Sequence, residues 1–458
     1  MQLLFIKGKI MKQRKSPHTL GNKKILSLLI EYSLPAITAM TAMSAYNIID
    51  RIFIGQGVGA LAISGLALTL PLMNLGIALG ALVGAGSAAL VSIRLGEKKE
   101  DEASLILGNA VMLNLLLSIP YSVIMLIFLD KVLYLFGASD ATLLYAREFM
   151  QIILVGNVFM HMYMGLNHIM RASGYPGKAM YITLGTVALN IILAPYFIFI
   201  LKLGIRGAAL ATVFAQVIGL TLVLIHFFKK TSYLHFVKGR FKLRLDIIKG
   251  ISSIGMSPFV INVGVSLIVI VMNLSLVKYG GDYAVGAYGI INSILMLVVM
   301  TIIGLTQGMQ PIAGYNFGAG NYRRVKEVFK YSVIAGTCVS VTGFILGEFF
   351  PVYIAMAFTD NKELIDISVT GMRIVLIAFP IVGFQIVTSN LFQSIGKAKI
   401  SIILTFSRQI VFLIPALLVL PRMFGLVGVW AAIPFADILS VVLTVYILKI
   451  QGNKVFGP

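Results

Sequence analysis

The chain has 458 residues, 59% hydrophobic and only 12% charged, with a net charge of +20 and a mean hydropathy of +0.95. Soluble proteins carry roughly 25% charged residues, so this composition excludes a soluble enzyme. The basic residues lie in short segments between long apolar runs, where a membrane protein keeps them, and this excludes a nucleic-acid-binding surface.

The first 24 residues form a basic tail whose apolar start, M-Q-L-L-F-I, is too short and too interrupted for a secretory signal. Met1 and Met11 are both available as starts. A helix needs about 20 apolar residues to cross a bilayer. Twelve such runs follow, at 28–54, 60–85, 105–129, 145–169, 179–201, 205–228, 250–277, 284–311, 328–350, 367–392, 399–421 and 425–448. The runs are continuous rather than alternating, so strand barrels are excluded. The expectation is an all-α polytopic membrane protein with twelve transmembrane helices. Its parts are a cytosolic tail (1–24), an N-terminal lobe (25–228), a cytosolic basic linker (229–249), a C-terminal lobe (250–448) and a cytosolic C-terminus (449–458).

Every second connection is basic: Arg94/Lys98/Lys99, Arg171/Lys178, the linker, Arg323/Arg324/Lys326/Lys330, and Lys397/Lys399. Basic residues prefer the cytosolic side, which places both termini in the cytosol and the chain in the plasma (inner) membrane. The linker either rests on anionic headgroups or is a solvated connection between halves. Cys338 is the sole cysteine, and the five histidines have no metal-binding spacing.

The chain is written twice with a shift of about 221 residues. L-G-I-R-G-A-A-L-A-T-V-F-A-Q (Leu203 to Gln216) aligns with F-G-L-V-G-V-W-A-A-I-P-F-A-D (Phe424 to Asp437), pairing Gly204 with Gly425 and Gly207 with Gly428. Gly177 to Ala179 matches Gly396 to Ala398, and Pro195 stands opposite Pro415. Each copy holds an even number of spans, so the two halves form a parallel, pseudo-symmetric repeat of six helices each.

Four stretches carry a family resemblance: Gly304 to Val325 (G-L-T-Q-G-M-Q-P-I-A-G-Y-N-F-G-A-G-N-Y-R-R-V), Arg171 to Met180 (R-A-S-G-Y-P-G-K-A-M), Leu189 to Phe199 and Ser407 to Pro415. Together they resemble the multidrug and toxic compound extrusion (MATE) transporters, over residues 28–448. The resemblance implies a V of two six-helix lobes and ion-driven efflux of organic compounds.

Asp50 stands within an apolar helix, with Tyr46 and Asn47 one turn earlier on the same face. An acid in hydrocarbon needs a partner, a cation or water. Depth estimates place Asn190 and Thr212 at a similar level, with Gln216 one turn beyond Thr212. By the resemblance, Asp50 matches the acid that couples ion movement, and Asn190 and Thr212 match polar residues of a first-lobe cation site in the DinF branch. That branch has a second Asp where this chain has Ala194. Na⁺ at Asp50 is the one metal ion considered. In the second half Arg408 and Asp437 reach the midplane on adjacent spans and can pair, while Gln307 and Gln310 are neutral candidates for a substrate cavity. Gly76, Gly80 and Gly84 recur every four residues and mark a close-packing seam.

The expected function is a monomeric secondary antiporter without cofactor, exporting cationic amphiphilic organic compounds in exchange for H⁺ or Na⁺ by alternating access. The alternative is a flippase for lipid-linked precursors. Nucleotide-binding and zinc-protease motifs are absent from the sequence.

Overall fold

The computed structural model describes residues 19–358 and 361–456; within them the side chains of residues 47, 48, 51, 52, 60, 61, 64, 282, 453 and 454 lie outside the description. Most of the basic tail, up to residue 18, therefore lies outside the described residues.

Among the described residues every regular element is helical. In hydrocarbon a backbone must satisfy its polar groups within its own segment, and a helix does so. The first half contains α1 (Ile25–Gly57), α2 (Ala60–Gly96), α3 (Glu100–Ile127), α4 (Asp140–Ala172), α5 (Pro176–Pro195, continued by the π-helical turn Tyr196–Ile200) and α6 (Gly204–Phe228). The second half contains α7 (Leu245–Gly281), α8 (Tyr283–Gly318), α9 (Tyr322–Phe349) and α10, a pair Lys362–Leu376 and Phe379–Ser394 bent by 52°. Helix Ile414–Phe456 breaks at Gly425. The residues before the break, with Ala398–Phe406 and the π-helical Ser407–Leu413, make α11 (398–424), and those after it make α12 (426–456).

Among the described residues ten helices are long and apolar enough to cross a membrane, or eleven with the bent pair as one. One of them, Ala398–Gly452, spans the turn at Gly425 and so holds two of the twelve expected runs. Large apolar side chains such as Ile127, Ile192, Leu274 and Val442 are exposed, as suits helices facing lipid.

The repeat is visible in the backbone. Gly204 and Gly425 have φ of 57° and 56°, a left-handed conformation that glycine adopts without penalty. Each opens the last span of its half. A Cβ on Gly207 would lie 2.9 Å from the Phe197 carbonyl, and one on Gly428 would lie 2.2 Å from the Leu420 carbonyl. The turn glycine that answers Gly396 (φ 78°) is Gly174 (φ 100°), because Gly177 is already helical. The repeat register at that turn is thus three residues away from the match that G-K-A suggests.

Contacts divide the chain into two compact units. One comprises Thr41–Phe259 and Gly314–Ala319 with the described residues up to Lys23; the other comprises Lys24–Met40, Val260–Ala313 and the described residues from Gly320 onward. In the first unit the linker lies against α3. Buried Asn109 accepts from Arg244 N at 2.8 Å and donates to the Lys242 carbonyl at 3.3 Å. Arg240 pairs with Asp101 at 2.6 Å, and Tyr233 hydrogen-bonds to Glu100. Asp101 is exposed, so that ion pair contributes little, and Asn109 is the stronger anchor.

Candidate functional site

The polar residues of the first unit meet where α1, α5 and α6 run side by side. Tyr46 Oη lies 3.0 Å from Thr212 Oγ1. Asn190 Nδ2 donates to Tyr46 Oη and to Thr212 Oγ1, each at 3.1 Å. Thr212 Oγ1 donates in turn to the Ala208 carbonyl one helical turn back, at 3.1 Å. Asp50 is buried, 8% exposed, and faces Tyr46 one turn along α1 with an electrostatic interaction between the two.

A threonine hydroxyl has one proton, and here it goes to Ala208. With that proton so directed, Tyr46 is the donor in its contact with Thr212, and Asn190 Nδ2 donates to both hydroxyls. The Asn190 Oδ1 is buried without a hydrogen-bond partner, and the buried Asp50 carboxylate lies one turn from Tyr46. A site with its donors spent and a carboxylate present is chemically suited to a cation.

The same elements close this site at the Gly57 end of α1. Past Pro195, which lacks an N–H, the chain winds through the π turn Tyr196–Ile200, closed by Leu201 N donating to the Tyr196 carbonyl at 3.0 Å. The turn presents Ile198 and Phe199 to α1: Phe53 and Phe199 stack edge to face at 6.4 Å, and a Cβ on Gly57 would lie 2.3 Å from Ile198 Cγ2. Ile54, Ala194, Ile198, Ala208 and Ala211 form one buried apolar cluster. Ala194, 1% exposed, belongs to that cluster, so the position of a second carboxylate is filled by apolar packing.

The structure therefore brings together Asp50, Tyr46, Asn190 and Thr212. Gln216 is half-buried one turn beyond Thr212 on α6, outside their hydrogen-bond set. The side chains of Asn47 and Arg51 lie outside the described residues.

The second unit holds the other expected residues. Arg408 Nε donates to Asp437 Oδ1 at 2.7 Å; the acid is 3% exposed and the arginine side chain 29%. Arg408 rides on the π-helical stretch Ser407–Leu413, which reorients side chains relative to a regular helix. Its neighbour Gln409 is buried, with Oε1 packed against Gly264, where a Cβ would lie 1.9 Å away. Nothing in the residue pattern singled Gln409 out except its place beside Arg408. Gln307 Nε2 donates to Met40 Sδ at 3.6 Å, and Gln310 is buried on the same helix. Among the described residues no cluster of metal-ligating side chains exists.

Comparison with known proteins agrees with this architecture. The family model MatE matches residues 35–196 and 259–418. The "Multidrug export protein MepA" of Staphylococcus haemolyticus (strain JCSC1435) is 28% identical over 94% of this chain and 94% of its own. A solved structure of the "MATE multidrug transporter DinF-BH" with a bound ligand is 38% identical, covers 97% of this chain and 99% of its own, and superposes with a TM-score of 0.89. A second, described as an "Outward-facing conformation of a multidrug resistance MATE family transporter of the MOP superfamily", is 22% identical with a TM-score of 0.91 over 97% of this chain and 99% of its own, and speaks to the fold alone. With the matched segments spanning most of both halves, the chain belongs to the MatE family of transporters.

Proposed function

We propose that this multidrug efflux transporter exports cationic, amphiphilic organic compounds from the cytosol across the plasma membrane in exchange for an inward-moving cation. It works as a monomer, with both termini cytosolic. Asp50 carries the coupling cation, and Asn190, Thr212 and Tyr46 hold the acceptor geometry around it. The observation that carries this reading is the gathering of Tyr46, Asn190 and Thr212 beside the buried carboxylate of Asp50, with the Asn190 Oδ1 buried and without a hydrogen-bond partner.

Of the two coupling ions, the proton fits better. Na⁺ favours several oxygen ligands with enough negative charge to replace its water. Here the position that would supply a second carboxylate, Ala194, lies in apolar packing. A proton needs only Asp50. The cycle follows: protonated Asp50 accompanies one state of the lobes, ionised Asp50 favours the state that binds the organic cation, and the two ligands alternate.

The flippase reading requires a free cationic centre for pyrophosphate. Arg408, the mid-membrane cation of the second half, is engaged by Asp437 at 2.7 Å, which weighs against it. The deciding experiment is ethidium transport in proteoliposomes under an imposed H⁺ gradient and, separately, a Na⁺ gradient. Export driven by the H⁺ gradient and lost in Asp50→Asn supports the proposal. Full export by Asp50→Asn refutes it.

A further inference from the structure

A second polar assembly lies inside the first unit, on another face of α4 from the one that packs against Val213 of α6. On α3, Asn114, Ser118 and Ser122 recur every four residues and so share one face; on α4, Asn157, His161 and Gly165 do the same. The two helices meet in antiparallel register. At one end Asn157 Nδ2 donates to Ser122 Oγ at 3.4 Å. At the other, a Cβ on Gly165 would lie 2.7 Å from Asn114 Nδ2. The register places Ser118 and His161 together on the rung between.

The glycine seam of α2 forms the third wall. A Cβ on Gly76 would lie 3.2 Å from Asn157 Oδ1, one on Gly80 3.3 Å from His161 Cδ2, and one on Gly84 3.2 Å from the Gly165 Cα. The three glycines thus match the three rungs one to one. They leave the polar side chains of α3 and α4 room that any larger residue would fill.

Asn114, Ser118 and His161 are each fully buried. Yet Asn114 Nδ2 and Oδ1, Ser118 Oγ and both ring nitrogens of His161 have no hydrogen-bond partner among protein atoms. The Gly76 backbone approaches the ring as a weak hydrogen-bond partner, outside the geometry of a full hydrogen bond to either nitrogen. Buried polar groups are ordinarily paired with protein or with ordered water, and each one left bare costs a sizeable fraction of net stability. Five bare atoms on two adjoining rungs are not tolerable in a dry core.

The space for a ligand is present beside the rung of Asn157. A cavity of about 30 Å³ opens there, lined by Gly76, Tyr121, Met150 and Asn157 among others. A single water needs only about 10–15 Å³ on that measure.

The geometry points to an internal water-binding site along this ladder, with waters bridging Asn114, Ser118 and His161 and continuing into the cavity beside Asn157. Water matches the donor and acceptor inventory. Asn114 offers two N–H donors and one acceptor, neutral imidazole one of each, and serine both, so a ligand must donate and accept at once. A metal cation would leave the Asn114 and imidazole donors unpaired and would find no carboxylate among these residues.

Radiolytic hydroxyl labelling tests this directly, because bound water generates radicals in place and oxidises the side chains it touches. The full-length protein is exposed to X-ray pulses and read by mass spectrometry. The reporters are Tyr121, Met150 and His161; Met309 and Met372, both 0% exposed, are the buried references. The expected result is oxidation of the reporters several-fold faster than the references. Equal, slow oxidation of all five overturns the proposal. A second readout is thermal stability: His161→Phe and Asn114→Leu each lower Tm by several degrees if they strip hydrogen bonds to bound water, while a Tm that stays or rises shows a dry ladder and refutes it.

Discussion

The fifth and sixth spans of each half carry a polar pair, and the pairs differ in kind. In the first unit Asn190 on α5 meets Thr212 on α6 through neutral hydrogen bonds, with the acid supplied from α1. In the second, Arg408 on α11 meets Asp437 on α12 as an ion pair. The alignment pairs Asp437 with Gln216, so one position of the repeat is a charge in one half and a neutral amide in the other. In the second unit the acid is matched by a full positive charge, whereas Asp50 lies beside three neutral polar side chains that hydrogen-bond one another. The comparison teaches that the two halves share a frame and that the charge of one or two side chains decides whether a polar pair is ionic or neutral.

The largest expected effect breaks this asymmetry at its source. Asp50→Asn removes the exchangeable charge and abolishes gradient-driven ethidium export, while binding of ethidium in detergent, followed by fluorescence anisotropy, persists. Next, Asp437→Asn leaves Arg408 without its partner and lowers unfolding stability by about 3 kcal/mol, the penalty for uncovering a buried charge. Adding Arg408→Gln to it restores most of that loss, and retention of export by the double variant marks the pair as structural. Thermal and denaturant unfolding in detergent check both.

Ala194→Asp sharpens the contrast from the other side. It places a carboxylate one turn beyond Asn190, so Na⁺ is expected to raise its Tm through preferential binding to the folded state, an effect absent in the wild type. Thr212→Val removes a hydroxyl that both Tyr46 and Asn190 use, and is expected to cost about 1–2 kcal/mol, with a matching fall in export rate. Smallest is the backbone effect that the halves share: Gly204→Ala and Gly425→Ala should each cost about 1 kcal/mol, alike and additive, since both glycines are left-handed.

The sequence made the helical plan legible because a bilayer imposes one length and one polarity on every span. It also pointed to Asp50, Asn190 and Thr212, since a polar residue in an apolar run stands out. What it left obscure were relations set by tertiary register. Tyr46 read as a companion of Asp50 and proves to be the hydroxyl that joins α1 to both α5 and α6. Gly76, Gly80 and Gly84 read as a seam through their own spacing, but that they face Asn157, His161 and Gly165 depends on how α2 and α4 align. The linker read as lipid-bound or solvated, and its docking on α3 rests on Asn109, an asparagine indistinguishable by pattern from many others. The slip at Gly177 has a similar cause: a short motif matched in letters while the chain placed its left-handed glycine at Gly174.

The central claim is that Asp50 exchanges a proton against the organic cation. The most direct test is the number of protons released when ethidium binds to purified protein in weakly buffered solution, followed with a pH-sensitive dye. The account predicts release of about one proton per ethidium bound in the wild type, by linkage between the two ligands, and none in Asp50→Asn. Equal release from both proteins would contradict it.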